Sequence, residues 1–192
     1  MAVLLSFSLS LDGYIAGPDV AVERPMGRGG ERLHEWLFAA GVDHVDAEVA
    51  RDLRARVGAT IVGRRTFDVG LPQWEDVPFP APAFVVTHEP RAPLAMKSGA
   101  FTFVTDGVAG AIAQARAAAG KRDVIVLGAH VAQQCLATGL ADELRLQLVP
   151  VLLGAGTRLF EDGAAARGVE LVATRVVASP AVTHLTFALP RG

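Results

Sequence analysis

Apolar and polar positions alternate from the first strand-length segment of the chain. Val3, Leu5, Phe7, Leu9 and Leu11 lie on one side, with Ser6, Ser8 and Ser10 opposite, a period of two that predicts a strand ending at Asp12-Gly13. Residues 17–30, GPDVAVERPMGRGG, hold four glycines and two prolines and are expected to form a loop. From Glu31 the period lengthens. Leu33, Trp36, Leu37 and Ala40 share one helical face, and Val45, Val49, Leu53 and Val57 mark a second helix over 45–57.

Short apolar runs then alternate with further helices. Strands are predicted for Ala59 to Val62, Ala83 to Thr87, Phe101 to Val104, Val124 to Leu127 and Glu143 to Val149, with a proline-rich loop over 70–82. Helices are predicted for Val108 to Ala119, opened by Thr105-Asp106 as N-cap and closed by Gly120, and for Val131 to Thr138. Val169 to Val177 and Val182 to Leu189, parted by Ser179-Pro180, read as a closing hairpin. All-apolar strands interleaved with helices belong to a sheet covered on both faces. The expected fold class is therefore α/β: a mixed, mostly parallel central sheet flanked by helices, with an antiparallel C-terminal hairpin. No linker or internal repeat divides the sequence, so residues 1–192 are expected to form a single domain.

Composition narrows the choice of partner. Lys plus Arg number 18 against 20 Asp plus Glu, a formal charge of −2, so the broad positive field that nucleic acid demands is missing. Apolar residues make up 51% of the chain, which excludes disorder. Cys135 is the sole cysteine and has no internal disulfide partner, which fits a reducing compartment. No uncharged apolar run approaches the ~20 residues of a membrane span. The serine-interrupted N-terminus lacks the basic region of a signal peptide. A cytoplasmic protein with no membrane partner is expected. His34, His44, His88, His130 and His184 show no metal-ligand spacing, so no metal is expected. The apolar stretch from Leu144 to Phe160 exceeds what one strand needs, and a homodimer through it is expected.

In an open α/β sheet, ligands gather where strands end and helices begin. Three such junctions carry chemistry. Gly63-Arg64-Arg65-Thr66-Phe67 offers backbone N–H groups, two guanidinium forks and a hydroxyl, which suit a phosphate as well as a plain solvated turn. Leu127-Gly128-Ala129-His130 precedes a helix whose N-terminus favours negative charge, although an ordinary tight turn reads the same way. Val86-Thr87-His88-Glu89 adds a hydroxyl and an imidazole. The chain has neither a Walker P-loop nor the Rossmann G-x-G-x-x-G. Three phosphate-capable turns in one sheet favour a dinucleotide over a single phosphate.

Five segments carry a resemblance. SLDGYIA (10–16), VGRRTF (62–67), VVTHEP (85–90), VIVLGAHVAQQCL (124–136) and LADELRLQLVPVLLGAGTRLF (140–160) fall in the order seen in dihydrofolate-reductase-like proteins. The sequence most resembles the branch related to the reductase domain of bacterial riboflavin biosynthesis. The resemblance implies NADPH as hydride donor. By position, Gly63, Arg64, Arg65 and Thr66 would take the adenosine 2′-phosphate and the pyrophosphate side, with Thr87 and His88 also at the 2′-phosphate. Gly128, Ala129 and His130 replace the glycine-rich pyrophosphate turn, Val131 and Ala132 open its helix, and Leu127, Ile15 and Ala16 would line the nicotinamide ribose.

There are two departures from that pattern. The family's turn normally begins Gly-Gly, where Ala129 follows Gly128 here, and Leu33 stands near the position of the helix-borne acid of dihydrofolate reductases. Folate is therefore not the expected substrate. A proton must still reach the product, and Asp12 and Glu31 are the candidates. Ser6 and Ser8 are expected to hydrogen-bond a heterocycle, with Leu33, Trp36, Phe67 and Trp74 around it. The expected activity is NADPH-dependent reduction of a small planar heterocycle, pteridine- or pyrimidine-like, or of a conjugated carbonyl or imine. The alternative is a non-catalytic nucleotide-binding or assembly protein on the same fold.

Overall fold

The strand at the start of the chain becomes the middle of the sheet. The computed structural model describes residues 1–38, 43–160 and 170–190. Strand β1 (Val3–Ser10) is followed by β2 (Tyr14–Ala16), a 3-10 turn (Gly30–His34), α1 (Glu35–Phe38) and α2 (His44–Arg56). Next come β3 (Val57–Gly63), α3 (Arg64–Gly70), β4 (Ala83–Val86), β5 (Leu94–Ala95), β6 (Ala100–Val104) and α4 (Gly107–Ala119). The chain continues through β7 (Asp123–Leu127), α5 (Ala129–Ala137), β8 (Glu143–Val149), β9 (Thr157–Arg158), β10 (Val172–Ala178) and β11 (Thr183–Ala188).

Nine of these strands form one sheet in the order β10-β11-β8-β1-β7-β3-β4-β6-β5, and β2 pairs with β9 in a second, two-stranded sheet. From β8 across to β6 every pairing is parallel. The hairpin β10–β11 joins β8 antiparallel, and β5 joins β6 antiparallel at the other edge. This is the expected mixed, mostly parallel sheet.

Parallel neighbours on both sides explain why β1 is covered on both faces. Val3, Leu4 and Leu5 are all fully buried. The serine side of the strand is covered as well as the apolar side. Ser8 and Ser10 are buried, and Leu11, just past the strand, is exposed. On one face, Leu5, Ile61 and Val126 pack with Val108, Ala111 and Ile112 of α4 and with Val131, Ala132 and Cys135 of α5. On the other, Val62 and Val85 pack with Phe67 of α3, Val77 and Phe101. A side chain such as Phe67, 1% exposed, contributes roughly 1.5–3 kcal/mol by leaving water. A third cluster joins Leu33 and Trp36 to Val149 and Val182 beneath the hairpin.

Most boundaries shift by only a residue or two, but several features differ in kind. α3 and the short strands β2, β5 and β9 were not foreseen, and Val57 opens β3 instead of closing α2. Asp43 caps α2 by accepting from the Val45 N–H at 2.8 Å, whereas Asp106 sits at the start of α4 without a side-chain cap bond. Ala40 and Val169, the ends of two predicted elements, lie outside the described residues. Leu144, Leu146 and Val149 are buried within the chain by β1 and β11, so their apolarity is no reason for a dimer through 144–160. Of that stretch, Leu152 and Phe160 remain exposed.

The amino end of the sheet is closed by charge pairing. Asp123 accepts from the Ala2 N–H at 2.6 Å and Asp142 from the Val3 N–H at 2.8 Å. Arg56 bridges Asp123 at 2.8 Å and Glu143 at 3.2 Å, and buried Arg145 bridges Glu143 and Asp52. Among the described residues no helix is long and apolar enough to cross a membrane, and no group of three or more His, Cys, Asp or Glu is placed to hold a metal ion.

Candidate functional site

Strand register decides where the loops meet. Val62 of β3 pairs with Leu127 of β7 on one side and with Val85 of β4 on the other, and Leu5 of β1 pairs with Val126. The carboxyl ends of these four adjacent strands therefore lie side by side. With strands ~4.8 Å apart, β1 to β4 span about 14 Å. A cavity of about 800 Å³ opens along this edge. The three junctions singled out in the sequence all line it: Gly63 to Thr66, Thr87 and His88, and Leu127 to Val131.

The turn after β7 depends on its glycine. Gly128 has φ +98°, and a Cβ there would come within 2.6 Å of Thr66 Oγ1. Only a residue without a side chain lets the backbone pass against that hydroxyl. The Ala132 N–H closes on the Gly128 carbonyl at 3.1 Å, so the N–H groups of Ala129, His130 and Val131 form the open first turn of α5. The dipole of the helix favours an anion at that point. The Ala129 methyl is buried while His130 is exposed.

At the β3 and β4 tips, Arg64 is held from two sides. Its Nε donates to both carboxylate oxygens of Asp68 at 2.8 Å, and its Nη1 donates to Glu89 Oε2 at 2.8 Å. Nη1 also reaches Thr87 Oγ1 at 3.4 Å, and that hydroxyl accepts from the Glu89 N–H at 3.1 Å. The pairing with Arg64 holds the Glu89 carboxyl below the usual range, and Glu89 first and Asp68 second hold the guanidinium in its charged form. Arg65 and His88 are exposed beside them.

At the β1 end the walls are Ser6, Phe7 and Ser8, with Ile15 and Ala16 of β2, Trp74, and Val20, Pro25 and Met26 of the 17–30 loop. Ser8 Oγ accepts from Trp36 Nε1 at 3.0 Å, and Ser6 Oγ accepts from Gln147 Nε2 at 3.4 Å. His34 also lines the cavity, with its Nδ1 buried and lacking a hydrogen-bond partner. Burial pushes the pKa of this imidazole down, which keeps it neutral at neutral pH.

Six expected site residues are not at the cavity, each for a local reason. Asp12 locks the β1–β2 turn to the 152–154 segment, accepting from Ser10 Oγ at 2.6 Å, the Gly154 N–H at 2.7 Å and the Leu153 N–H at 3.1 Å. Those bonds, the Ser10 hydroxyl first, bring its pKa down to about 2, a poor value for a proton donor. Glu31 is exposed at the start of the 3-10 turn, outside the cavity lining. Leu33 is fully buried in the third core cluster. Trp36 sits there too, edge-on to His184 with ring centroids 5.0 Å apart. Phe67 is locked edge-on between Phe101 and Phe103, at 5.0 and 5.3 Å. Ala132 is fully buried on the sheet side of α5. His34, Asp68, Glu89 and the wall from Val20, Pro25 and Met26 were missed. Had α3 been recognised, the four-residue spacing of Arg64 and Asp68 would have paired them.

A mostly parallel sheet with an antiparallel C-terminal hairpin and a cavity along its strand tips is the dihydrofolate-reductase-like fold. The chain belongs to the RibD C-terminal domain family, which it matches over residues 1–185. It is similar to a protein assigned to riboflavin biosynthesis from Shewanella sp. PV-4, with 27% identity, TM-score 0.76 and all of both chains covered. A pyrimidine reductase-like protein from Corynebacterium diphtheriae shares the fold at 14% identity and TM-score 0.65, covering 99% of this chain and 92% of that one. So does dihydrofolate reductase from Enterococcus faecalis, solved with NADP(H), at 15% identity and TM-score 0.58, covering 98% and 96%. No curated protein matches the chain in sequence. Of these neighbours, the Enterococcus faecalis protein is a dihydrofolate reductase and the Corynebacterium diphtheriae protein is named as pyrimidine reductase-like.

Proposed function

We propose that this chain is an NADPH-dependent reductase of a small planar heterocycle, pteridine- or pyrimidine-like, or of a conjugated carbonyl or imine. The observation that carries the reading is the convergence of three anion-suited turns on one cavity that runs across four strand tips. The residues present suit the cofactor. Gly128 and the first turn of α5 form a cradle that a side chain would fill, matched to a pyrophosphate. Arg64, Arg65, Thr66, Thr87 and His88 supply cationic and hydroxyl groups for a 2′-phosphate. Leu127, Ile15 and Ala16 offer an apolar wall toward β1 for the nicotinamide ribose.

When bound, NADPH supplies a hydride from its nicotinamide ring. The chain's own residues orient the acceptor and exclude water from it. Ser6 and Ser8 present hydroxyls from β1, Trp74 an apolar face, and Met26 and Pro25 line the same cavity. His34, neutral and unpartnered, takes the place that Asp12 and Glu31 leave vacant. The imidazole, which lines the cavity, can hydrogen-bond a heterocycle nitrogen or relay a proton to the reduced product.

The same reading includes one domain, because β1 from the start of the chain is flanked by β7 and β8 from its second half. A reducing, cytoplasmic setting fits a chain whose one cysteine, Cys135, has no internal disulfide partner. A homodimer would use exposed apolar groups such as Leu152, Phe160, Val172 and Val176, not the interior of β8. The test of the reaction is NADPH oxidation, followed by absorbance, across a panel of pteridines, aminopyrimidines and conjugated carbonyls. Oxidation that depends on one of these acceptors is expected. Saturable NADPH binding without oxidation across the panel would overturn the catalytic reading in favour of a nucleotide-binding protein.

A further inference from the structure

The groups at the Arg64 end of the cavity are balanced in charge, which is unexpected for a phosphate-binding site. Arg64, Arg65, Asp68 and Glu89, two cations and two anions, all line the cavity, and Arg64 pairs with both acids. Arg91 also acts on Glu89, but its guanidinium stands over the Phe103 ring, 4.7 Å from the centroid. Of the Arg64 nitrogens, Nε is engaged by Asp68 and Nη1 by Glu89 and Thr87. A phosphate approaching this guanidinium finds Nε and Nη1 already committed, with Nη2 the nitrogen left open to it.

The two carboxylates are not equivalent. Asp68 lies one helical turn from Arg64 on α3, an ordinary intrahelical pair. Glu89 comes from the separate segment after β4, and its side chain is 72% exposed. It can swing into solvent without disturbing the core. Opposite Arg64 it acts as a counter-ion that an incoming dianion must displace and then repels. Toward a ribose 2′-hydroxyl the same carboxylate is an acceptor, the chemistry by which acidic residues favour the unphosphorylated dinucleotide.

We propose that Glu89 is a specificity-determining residue, which competes with the 2′-phosphate for Arg64 and so narrows the preference for NADPH over NADH. The proposal rests on the dinucleotide reading above. Arg64 and Thr87 draw the phosphorylated form, Glu89 draws the hydroxyl form, and the site accepts both. Because the contest is between partly exposed charges, its outcome depends on ionic strength.

The experiment measures dissociation constants of NADPH and NADH by calorimetry on the full chain, in wild type, Glu89→Gln and Arg64→Ala, with unfolding midpoints confirming that each is folded. Glu89→Gln is expected to tighten NADPH roughly tenfold and leave NADH unchanged or weaker, a gain that shrinks as salt is raised. Arg64→Ala is expected to weaken NADPH more than NADH. Wild type and Glu89→Gln binding both dinucleotides with the same preference, within about twofold, would overturn the role of Glu89 and leave the cavity's ligand class standing. Equal losses of NADPH and NADH in Arg64→Ala would remove the 2′-phosphate from Arg64, and the proposal with it. Failure of the folded wild type to bind either dinucleotide would overturn the ligand class itself.

Discussion

The two ends of the central sheet are built from the same strands and are chemically opposite. At the amino end, the starts of β1, β7 and β8 are tied together. Asp123 and Asp142 accept backbone N–H groups of the first strand, and Arg56 and Arg145 bridge the carboxylates around them. At the carboxyl ends of β3, β4 and β7 the strands run into small or hydroxyl residues, a helix starts with its donors open, and a cavity of about 800 Å³ lies along the tips. At the tips of β3 and β4, Arg64 is held by exposed acids that can let go. Paired charge fixes the amino end, and open donors mark the end proposed to bind the dinucleotide.

Breaking the amino end should produce the largest change in stability. Arg56→Met leaves Asp123 and Glu143 without the cation between them, and removing one partner from a partly buried network costs about 3 kcal/mol. Urea unfolding should show that loss while the NADPH affinity of the folded protein stays unchanged. A loss below about 1 kcal/mol would mean that the network does not hold this end together.

Gly128→Ala attacks the opposite end. A methyl at φ +98°, 2.6 Å from Thr66 Oγ1, forces the turn away from its cradle shape. Strain of this kind is worth about 2 kcal/mol, so calorimetry should find NADPH binding weakened roughly 30-fold. Wild-type affinity in this variant would show that the turn is not a ligand contact.

The smallest effect concerns Asp12, which fastens the β1–β2 turn. Its carboxyl has a pKa of about 2 against an ordinary value of 3.8, so it binds its proton less readily in the folded protein than in the unfolded chain. The sign follows directly: this stabilisation is present above the unfolded pKa and disappears as pH falls through the folded one. Between about pH 5 and pH 2.5 the urea midpoint of wild type should fall more steeply than that of Asp12→Asn. Parallel slopes would show that the turn does not depend on the ionised carboxylate.

These contrasts also explain how much the sequence disclosed. Strands buried on both faces, such as Val124 to Leu127, are legible because four aliphatic residues in a row before glycine have few other uses. The same burial concealed the role of Ser8 and Ser10. Polar positions opposite an apolar side do not reveal their partners, and in the structure Ser8 accepts from Trp36 while Ser10 donates to Asp12. α3 escaped notice because only Phe67 and Gly70 of its seven residues are buried, too few to set a helical period. The strand-tip residues were legible because glycine, arginine and threonine at a strand end have direct anion chemistry. The substrate end was not. Leu33, Trp36 and Phe67 have the size and shape of a ligand wall, and only the packing shows that core neighbours enclose them. His34 gave no signal because its missing partner is a property of three-dimensional surroundings.

The most direct test of whether a dinucleotide lies across these strand tips is amide hydrogen exchange during an NADPH titration. Saturable slowing is expected at residues 63–67, 86–89 and 127–131, with no change at Val3, Asp123 or Glu143. Exchange at the three tips that stays the same at every NADPH concentration, or slowing confined to other segments, would contradict it.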